Sequence, residues 1–192
     1  MSYVIVSDSS SNVLSMASSH YASVPMKVRG DKEYLDDVSL NLSEMVEGLK
    51  NHKGKSGSSC PNVGEWLEAF GDADMAFGVT ISRNLSGSYN AAQQAAQDFA
   101  EEHPGSKIHI FDTLSAGPEM AMVVEKIVEL IEKGLSFEQI VAGVREYQNH
   151  CHILFCLESM NNLARNGRVS PAVAKIAGLL GIRVVGDVKG GE

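Results

Sequence analysis

Apolar and polar residues fall along this chain in alternating blocks. Tyr3-Val4-Ile5-Val6 is a short β-branched run that passes directly into the polar cluster Ser7-Asp8-Ser9-Ser10-Ser11-Asn12. A continuous apolar run ending in a polar loop is the signature of a strand buried on both faces of a parallel sheet. The pattern recurs at Met75 to Ile81, followed by Ser82 to Ser88, and at Lys107 to Phe111, followed by Asp112 to Gly117. Ser23 to Val28 reads as a second strand that Pro25 pushes towards an edge. Cys151 to Leu157 and Ile182 to Val185 read as the last two strands.

Helical spacing fills the gaps between these runs. Leu42, Met45, Val46 and Leu49 form one stripe, with Asn41 placed to cap it and Glu44 three residues on. A short helix is expected around Trp66 and Phe70. A longer one carries Tyr89, Ala92, Ala96 and Phe99 and ends at His103-Pro104-Gly105. Met120, Val123, Ile127 and Leu130 mark a third, stopping at Gly134. Ser136 and Gln139 form a capping box that opens a fourth. Ser159 caps a short helix closed by Gly167, and Ser170-Pro171 opens a further one. Residues 51–64 read as a Gly-, Ser- and Lys-rich loop.

Strands alternating with helices imply an α/β layer architecture around a mostly parallel sheet, with helices on both faces. The pattern restarts with a strand near residue 150. That gives an α/β domain over 1–150 and the beginning of a second α/β domain over 151–192. Ligands of such sheets bind beyond the carboxyl ends of the strands. The three hydroxyl-rich loops, 7–12, 82–88 and 112–117, should therefore gather at one end.

Composition narrows the chemistry. With 192 residues the chain can bury a sizeable core without disulfides or metals. Its net charge of −8 argues against a broad nucleic-acid-binding face and against a polybasic membrane anchor. No apolar run approaches a bilayer span, and Met1 to Asp8 lacks the pattern of a signal peptide. Three cysteines with no Cys-x-x-Cys suggest neither a disulfide framework nor a zinc site. A cytoplasmic protein without metal or cofactor is the expectation.

Local motifs leave several readings open. Ser86-Gly87-Ser88 at a helix start suits an anion, because free N–H groups and the helix dipole favour negative charge there. Ser86 or Ser88 would equally serve as a plain N-cap. Gly48 to Ser56 is one residue off a phosphate-binding loop, with five residues rather than four between Gly48 and Gly54, and a helical stripe precedes it where a strand is required. A solvated Lys-rich turn fits better. There is no Gly-x-Ser-x-Gly elbow for a serine hydrolase. His150, His152 and Cys156 would share one face of a strand, which reads more simply as half-buried strand residues than as a metal site. Asp8 and Asp112 end strands, where each could meet a ligand or close an Asx-turn. Arg168 after Gly167 would complement a helix C-terminus.

Taken together, these segments resemble the DegV family of bacterial fatty-acid-binding proteins. Val4 to Ser11 is similar to the family's strand ending in Thr-Asp-Ser-Thr-Ser, and Val24-Pro25-Met26 to its Val-Pro-Leu. Ser58 to Trp66 resembles Thr-Ser-Gln-Pro-Ser-Pro-Gly-Glu-Phe. Ile81 to Tyr89 is close to Ile-Ser-Ser-x-Leu-Ser-Gly-Thr-Tyr. Phe111 to Ala116 resembles Ile-Asp-Ser-x-Ser-Ala, and Leu163 to Ser170 resembles Leu-x-Lys-Gly-Gly-Arg-Ile-Ser.

The resemblance implies a carrier without chemistry of its own, which holds one long-chain fatty acid and presents it to a separate fatty acid kinase. The carboxylate would sit among hydroxyls and backbone N–H groups, and the tail in a tunnel made largely by the second domain. Carried over by position, the ligand residues are Ser58, with Ser59 as alternate, Ser86 and Gly87. Asp8 and Ser9 at the end of the first strand join them, and Arg168 falls on the rim or the partner surface. Cys60 stands where the family has Gln, and Asn62 where it has Ser. Family members are also longer. A chain lacking part of the second domain is expected to expose apolar surface near Ile176 to Val185 and to self-associate. A phosphotransferase or hydrolase using a Ser-rich loop, or a docking module without ligand, are the alternatives.

Overall fold

The computed structural model describes residues 2–17, 20–157, 159–161, 164, 170, 172, 175, 179, 183–187 and 190. Its centre is a four-stranded, wholly parallel sheet. The strands are β1 (Tyr3–Asp8), β2 (Tyr21–Val24), β6 (Met75–Thr80) and β7 (Lys107–Asp112), in the order β2-β1-β6-β7. Successive residues of each central strand feed opposite layers, as the two-residue period of a strand requires. Ile5, Phe77, Val79 and Phe111 pack with Met120, Val123, Ile127, Ile140 and Val144 of α4 (Pro118–Glu132) and α5 (Phe137–Gln148). Val6, Ala76 and Ile110 pack with Trp66, Phe70, Ala92, Ala95 and Phe99 of α2 (Val63–Phe70) and α3 (Ser88–Glu102). Each fully buried Val, Ile, Met or Phe among them is worth roughly 1.5–3 kcal/mol. The expected architecture, helices on both faces of a parallel sheet, is the one observed.

The strand expected over Ser23 to Val28 is two strands. Pro25 has no N–H for the ladder, so the chain leaves the sheet after Val24, on the edge strand β2. It resumes as β3 (Lys27–Arg29) in a small antiparallel sheet with β4 (Glu33–Leu35) and β5 (Gly57–Ser59), ordered β4-β3-β5. The sequence pattern predicts neither β4 nor β5. Three-residue strands carry too short a pattern to read, and β5 falls in the segment that reads as a loop. It lies where a phosphate-binding loop would need a helix, so that near-match is a turn between α1 (Leu42–Asn51) and β5.

Asn41 caps α1 as expected, accepting the Glu44 N–H. Its apolar stripe does not reach the core, however. No residue of α1 is buried, and Leu42 is 61% exposed. Strand β8 (Leu154–Leu157) pairs antiparallel with β9 (Val184–Asp187) in a separate ribbon. His150 and His152 precede β8, so the strand face they were to share with Cys156 does not exist. His150 instead lies 3.1 Å from Glu146. Ser159 accepts the Asn161 N–H, consistent with its capping role, whereas Gly167 and Pro171 lie outside the described residues.

Candidate functional site

Strand order points to one place. The chain runs from β1 to β2 on one side and later to β6 on the other, so the direction of winding reverses between β1 and β6. Parallel sheets open a ligand crevice at such a switch point, beyond the carboxyl ends of the strands. Here those ends carry Asp8 and the 81–88 turn, and β7 adds the 112–117 turn.

The three hydroxyl loops do converge, but most of their polar groups face inward. Ser7, Asp8, Ser9, Ser11, Ser82, Ser88, Thr113 and Ser115 are all buried. Ser7 Oγ lies 2.9 Å from Ser11 Oγ and 2.6 Å from the Tyr21 hydroxyl. Thr113 Oγ1 donates to the Thr80 carbonyl, and Ser82 N donates to Ser115 O. These bonds stitch the strand ends to one another and spare the Ser7, Ser11 and Thr113 hydroxyls a desolvation cost, whereas Ser115 Oγ is buried without a partner.

Asp8 is the junction. Its Oδ1 accepts Ser10 N–H, and its Oδ2 accepts Ile81 N–H at 3.1 Å and Ser88 Oγ–H at 2.7 Å. Burial pushes its carboxyl pKa up, and these hydrogen bonds oppose the rise without cancelling it. Ser9 is equally committed: it donates to Asp36 Oδ2 at 2.7 Å and accepts Met26 N–H at 2.9 Å. Ser9 thereby ties the β2–β3 corner and the chain after β4 to the end of β1. Both residues are internal fasteners in this structure and do not face solvent.

What remains open is a smaller set. Ser86 is half-buried, Gly87 and Ser58 are exposed, and Ser59 is half-buried. Gly87 is the N-cap of the 15-residue helix α3 and has no side chain to offer its first-turn N–H groups. Ser86 Oγ takes one of them, the N–H of Ser88. A Cβ on Gly87 would come within 3.3 Å of Cys60 Sγ. The turn after β5 therefore abuts the start of α3, and a Cβ at position 87 would need the Cys60 side chain to give by a few tenths of an ångström. Lys27 on β3 pairs with Glu65 at 2.7 Å, and Glu65 completes the capping box with Asn62 at the start of α2. That links the small sheet to the helix layer.

Electrostatics at this mouth are mild. Arg83 lies beside it, but its guanidinium Nε is 3.0 Å from Asp112 Oδ2, so its charge is already balanced. The hydrogen bonds of Ser86 and Ser88 run to Ser82, to Asp8 and to each other, and none reaches an imidazole. On the other side of the turn, a cleft of about 960 Å³ opens between the end of β7, α5 and the β8–β9 ribbon. Among the described residues no cluster of His, Cys, Asp or Glu is arranged to hold a metal ion. No helix among them is long and apolar enough to cross a membrane. Arg168 lies outside the described residues.

Sequence reasoning pointed to Ser86 and Gly87, which lie at the start of α3, but missed the partnership of Ser88 with Asp8. The two are 80 residues apart, and only the adjacency of β1 and β6 joins them. The family motif held a signal, since it places a hydroxyl residue at the position of Ser88.

Comparison with known proteins settles the family. The family model described as "Uncharacterised protein, DegV family" matches residues 2–192. The chain belongs to the DegV family. A DegV domain-containing protein of Streptococcus pneumoniae is 42% identical over 167 residues, covering 86% of this chain and 59% of the relative. The chain thus spans well under two thirds of that relative's length. A DegV family protein from Eubacterium eligens, solved loaded with heptadecanoic acid, is 40% identical with a TM-score of 0.89, covering 97% of this chain and 68% of that one. The Streptococcus pneumoniae Fatty Acid Kinase (Fak) B3 protein, solved loaded with linoleic acid, is 39% identical with a TM-score of 0.92, covering 98% and 69%.

Proposed function

We propose that this DegV protein binds a long-chain fatty acid and presents its carboxylate to a separate fatty acid kinase. The observation that carries the reading is the open start of α3. There a half-buried hydroxyl, Ser86, and the first-turn N–H groups beyond Ser88, which Gly87 cannot cap, lie across Gly87 from Cys60, the residue that follows Ser58–Ser59. Such a cradle donates hydrogen bonds and suits an anion. Because its donors are neutral, it holds a carboxylate less firmly than a desolvated Arg would. That suits a head group which must stay reactive towards a kinase. Without a base beside Ser86, a nucleophilic role has no support.

In this reading Ser58, Ser59, Ser86 and Gly87 contact the head group, while Asp8 and Ser9 hold the loops that carry them. Residues 1–150 form the carboxylate-binding domain, and 151–192 begin a second one that receives the tail. Arg168 belongs to the rim or to the kinase-facing surface. The fatty acids carried by the two solved relatives support the ligand class, and the kinase named for one of them supports the partner.

Mass spectrometry of an organic extract from natively purified protein tests this. A fatty acid in near one-to-one ratio is expected. Ser86→Ala should weaken its binding about ten-fold, the effect of losing one hydrogen bond to a charged group. An extract free of fatty acid, together with no uptake of added acid, would refute the proposal.

A further inference from the structure

Asp8 is completely buried, yet it points at the start of the helix that cradles the ligand. Its hydrogen bonds follow a fixed order. Ser88 has one hydroxyl proton and gives it to Asp8 Oδ2. Ser88 N–H goes the other way, to Ser86 Oγ at 3.3 Å. Ser86 therefore has an acceptor site occupied and its own proton unspent. A hydroxyl in that state can donate to a carboxylate oxygen.

We infer that Asp8 is the positioning residue of this site: through Ser88 it orders the Ser86–Gly87 turn and leaves the Ser86 proton to the ligand. The inference rests on the carboxylate-binding reading of that turn. Asp8 touches no ligand itself. As a carboxylate it is acceptor-only, and it serves three donors: Ser10 N–H of its own loop, and Ile81 N–H and Ser88 O–H from the two ends of the 81–88 turn. An amide cannot replace it. In Asp8→Asn, an amide nitrogen placed at the Oδ2 position would confront Ile81 N–H donor to donor and force Ser88 to turn its proton elsewhere. Placed at the Oδ1 position, it would confront Ser10 N–H instead. In either orientation one of these partly buried donors is left without its acceptor, at a cost. The DegV motif has Thr where this chain has Ser88, which preserves the hydroxyl that Asp8 needs.

The test uses the 192-residue protein and the variants Asp8→Asn, Ser88→Ala, Ser88→Thr and the double variant Asp8→Asn/Ser88→Ala. Amide hydrogen exchange is measured without ligand. Exchange across residues 86–91 should rise about ten-fold in Asp8→Asn and in Ser88→Ala, return to the wild-type rate in Ser88→Thr, and stay unchanged in α4. In parallel, cis-parinaric acid serves as a fluorescent fatty acid. Its affinity should fall about ten-fold in either single variant, recover in Ser88→Thr, and fall no further in the double variant, since both changes break one relay. Variants that melt earlier while keeping wild-type exchange at 86–91 and wild-type affinity would reduce Asp8 to a purely structural carboxylate and overturn the inference. Should Asp8→Asn not fold, the contrast of Ser88→Ala with Ser88→Thr decides. Wild-type protein that takes up no cis-parinaric acid would count against the carrier reading, and the exchange measurement would then decide the positioning role alone.

Discussion

His109 stands on β7 with its ring edge-on to Phe111 and 3.4 Å from an Arg145 guanidinium nitrogen. Burial first, and the neighbouring positive charge second, depress its pKa from 6.5 to about 4. The folded protein therefore keeps this imidazole neutral where an unfolded chain would protonate it. Stability linked to His109 is complete above pH 6.5 and is lost as pH falls towards about 4. The ring is only half-buried, so after solvent screening the loss is roughly 1–2 kcal/mol. His109→Gln should flatten the stability curve across that window in urea titrations run at several pH values. Asp8 acts with the opposite sign. Its raised pKa means the native state holds its proton more tightly, so its linked stability declines as pH rises through the folded value. Neither shift was legible in the sequence, because each arises from burial and neighbours brought in by the fold, Arg145 of α5 for His109 and the 81–88 turn for Asp8.

Among the elements, α1 and α2 make a useful pair. Both are amphipathic by spacing, but α2 buries Trp66 and Phe70 while α1 buries nothing. Periodicity states that a helix has an apolar face and cannot state what covers it. Leu42→Lys on α1 should thus alter stability by less than about 0.5 kcal/mol. Asn62→Ala, which breaks the α2 capping box, should cost about 1 kcal/mol. Thermal melts of the two variants distinguish them directly. Caps were among the most readable features: Asn41 and Ser136 both accept the N–H three residues on, as their spacing indicated. A cap needs only its own first turn to form. The short strands β4 and β5 were unreadable for the converse reason, since each exists only by pairing with β3.

At the scale of the whole molecule, the β8–β9 ribbon presents Leu154 at 73% and Val185 at 68% exposure, and Leu179 nearby in sequence is 76% exposed. A two-stranded ribbon is marginal by itself, and exposed apolar side chains on it favour association. The surface expected near Ile176 to Val185 is therefore present at Leu179 and Val185, while Ile176 lies outside the described residues. The protein should bind an apolar reporter dye and elute with an apparent mass that grows with concentration. Leu154→Lys combined with Val185→Lys should reduce both effects. Persistence of dye binding in that variant would locate the apolar surface elsewhere.

By itself the sequence determined the periodic strands and longer helices, most of their caps, the edge position forced by Pro25, and the family motifs at Ser58–Ser59 and Ser86–Gly87. All of these depend on neighbours within a few residues or on one chain pattern. Tertiary structure decided which hydroxyls face the mouth and which face each other. Ser9 and Asp8 read as ligand contacts from their loop, yet Ser9 is spent on Met26 and Asp36, and Asp8 on Ile81 and Ser88. A hydroxyl or carboxylate carries no mark of its partner. The partner is chosen when β1 and β6 lie side by side, and that choice separates the polar groups bonded to one another from those left open at the strand ends.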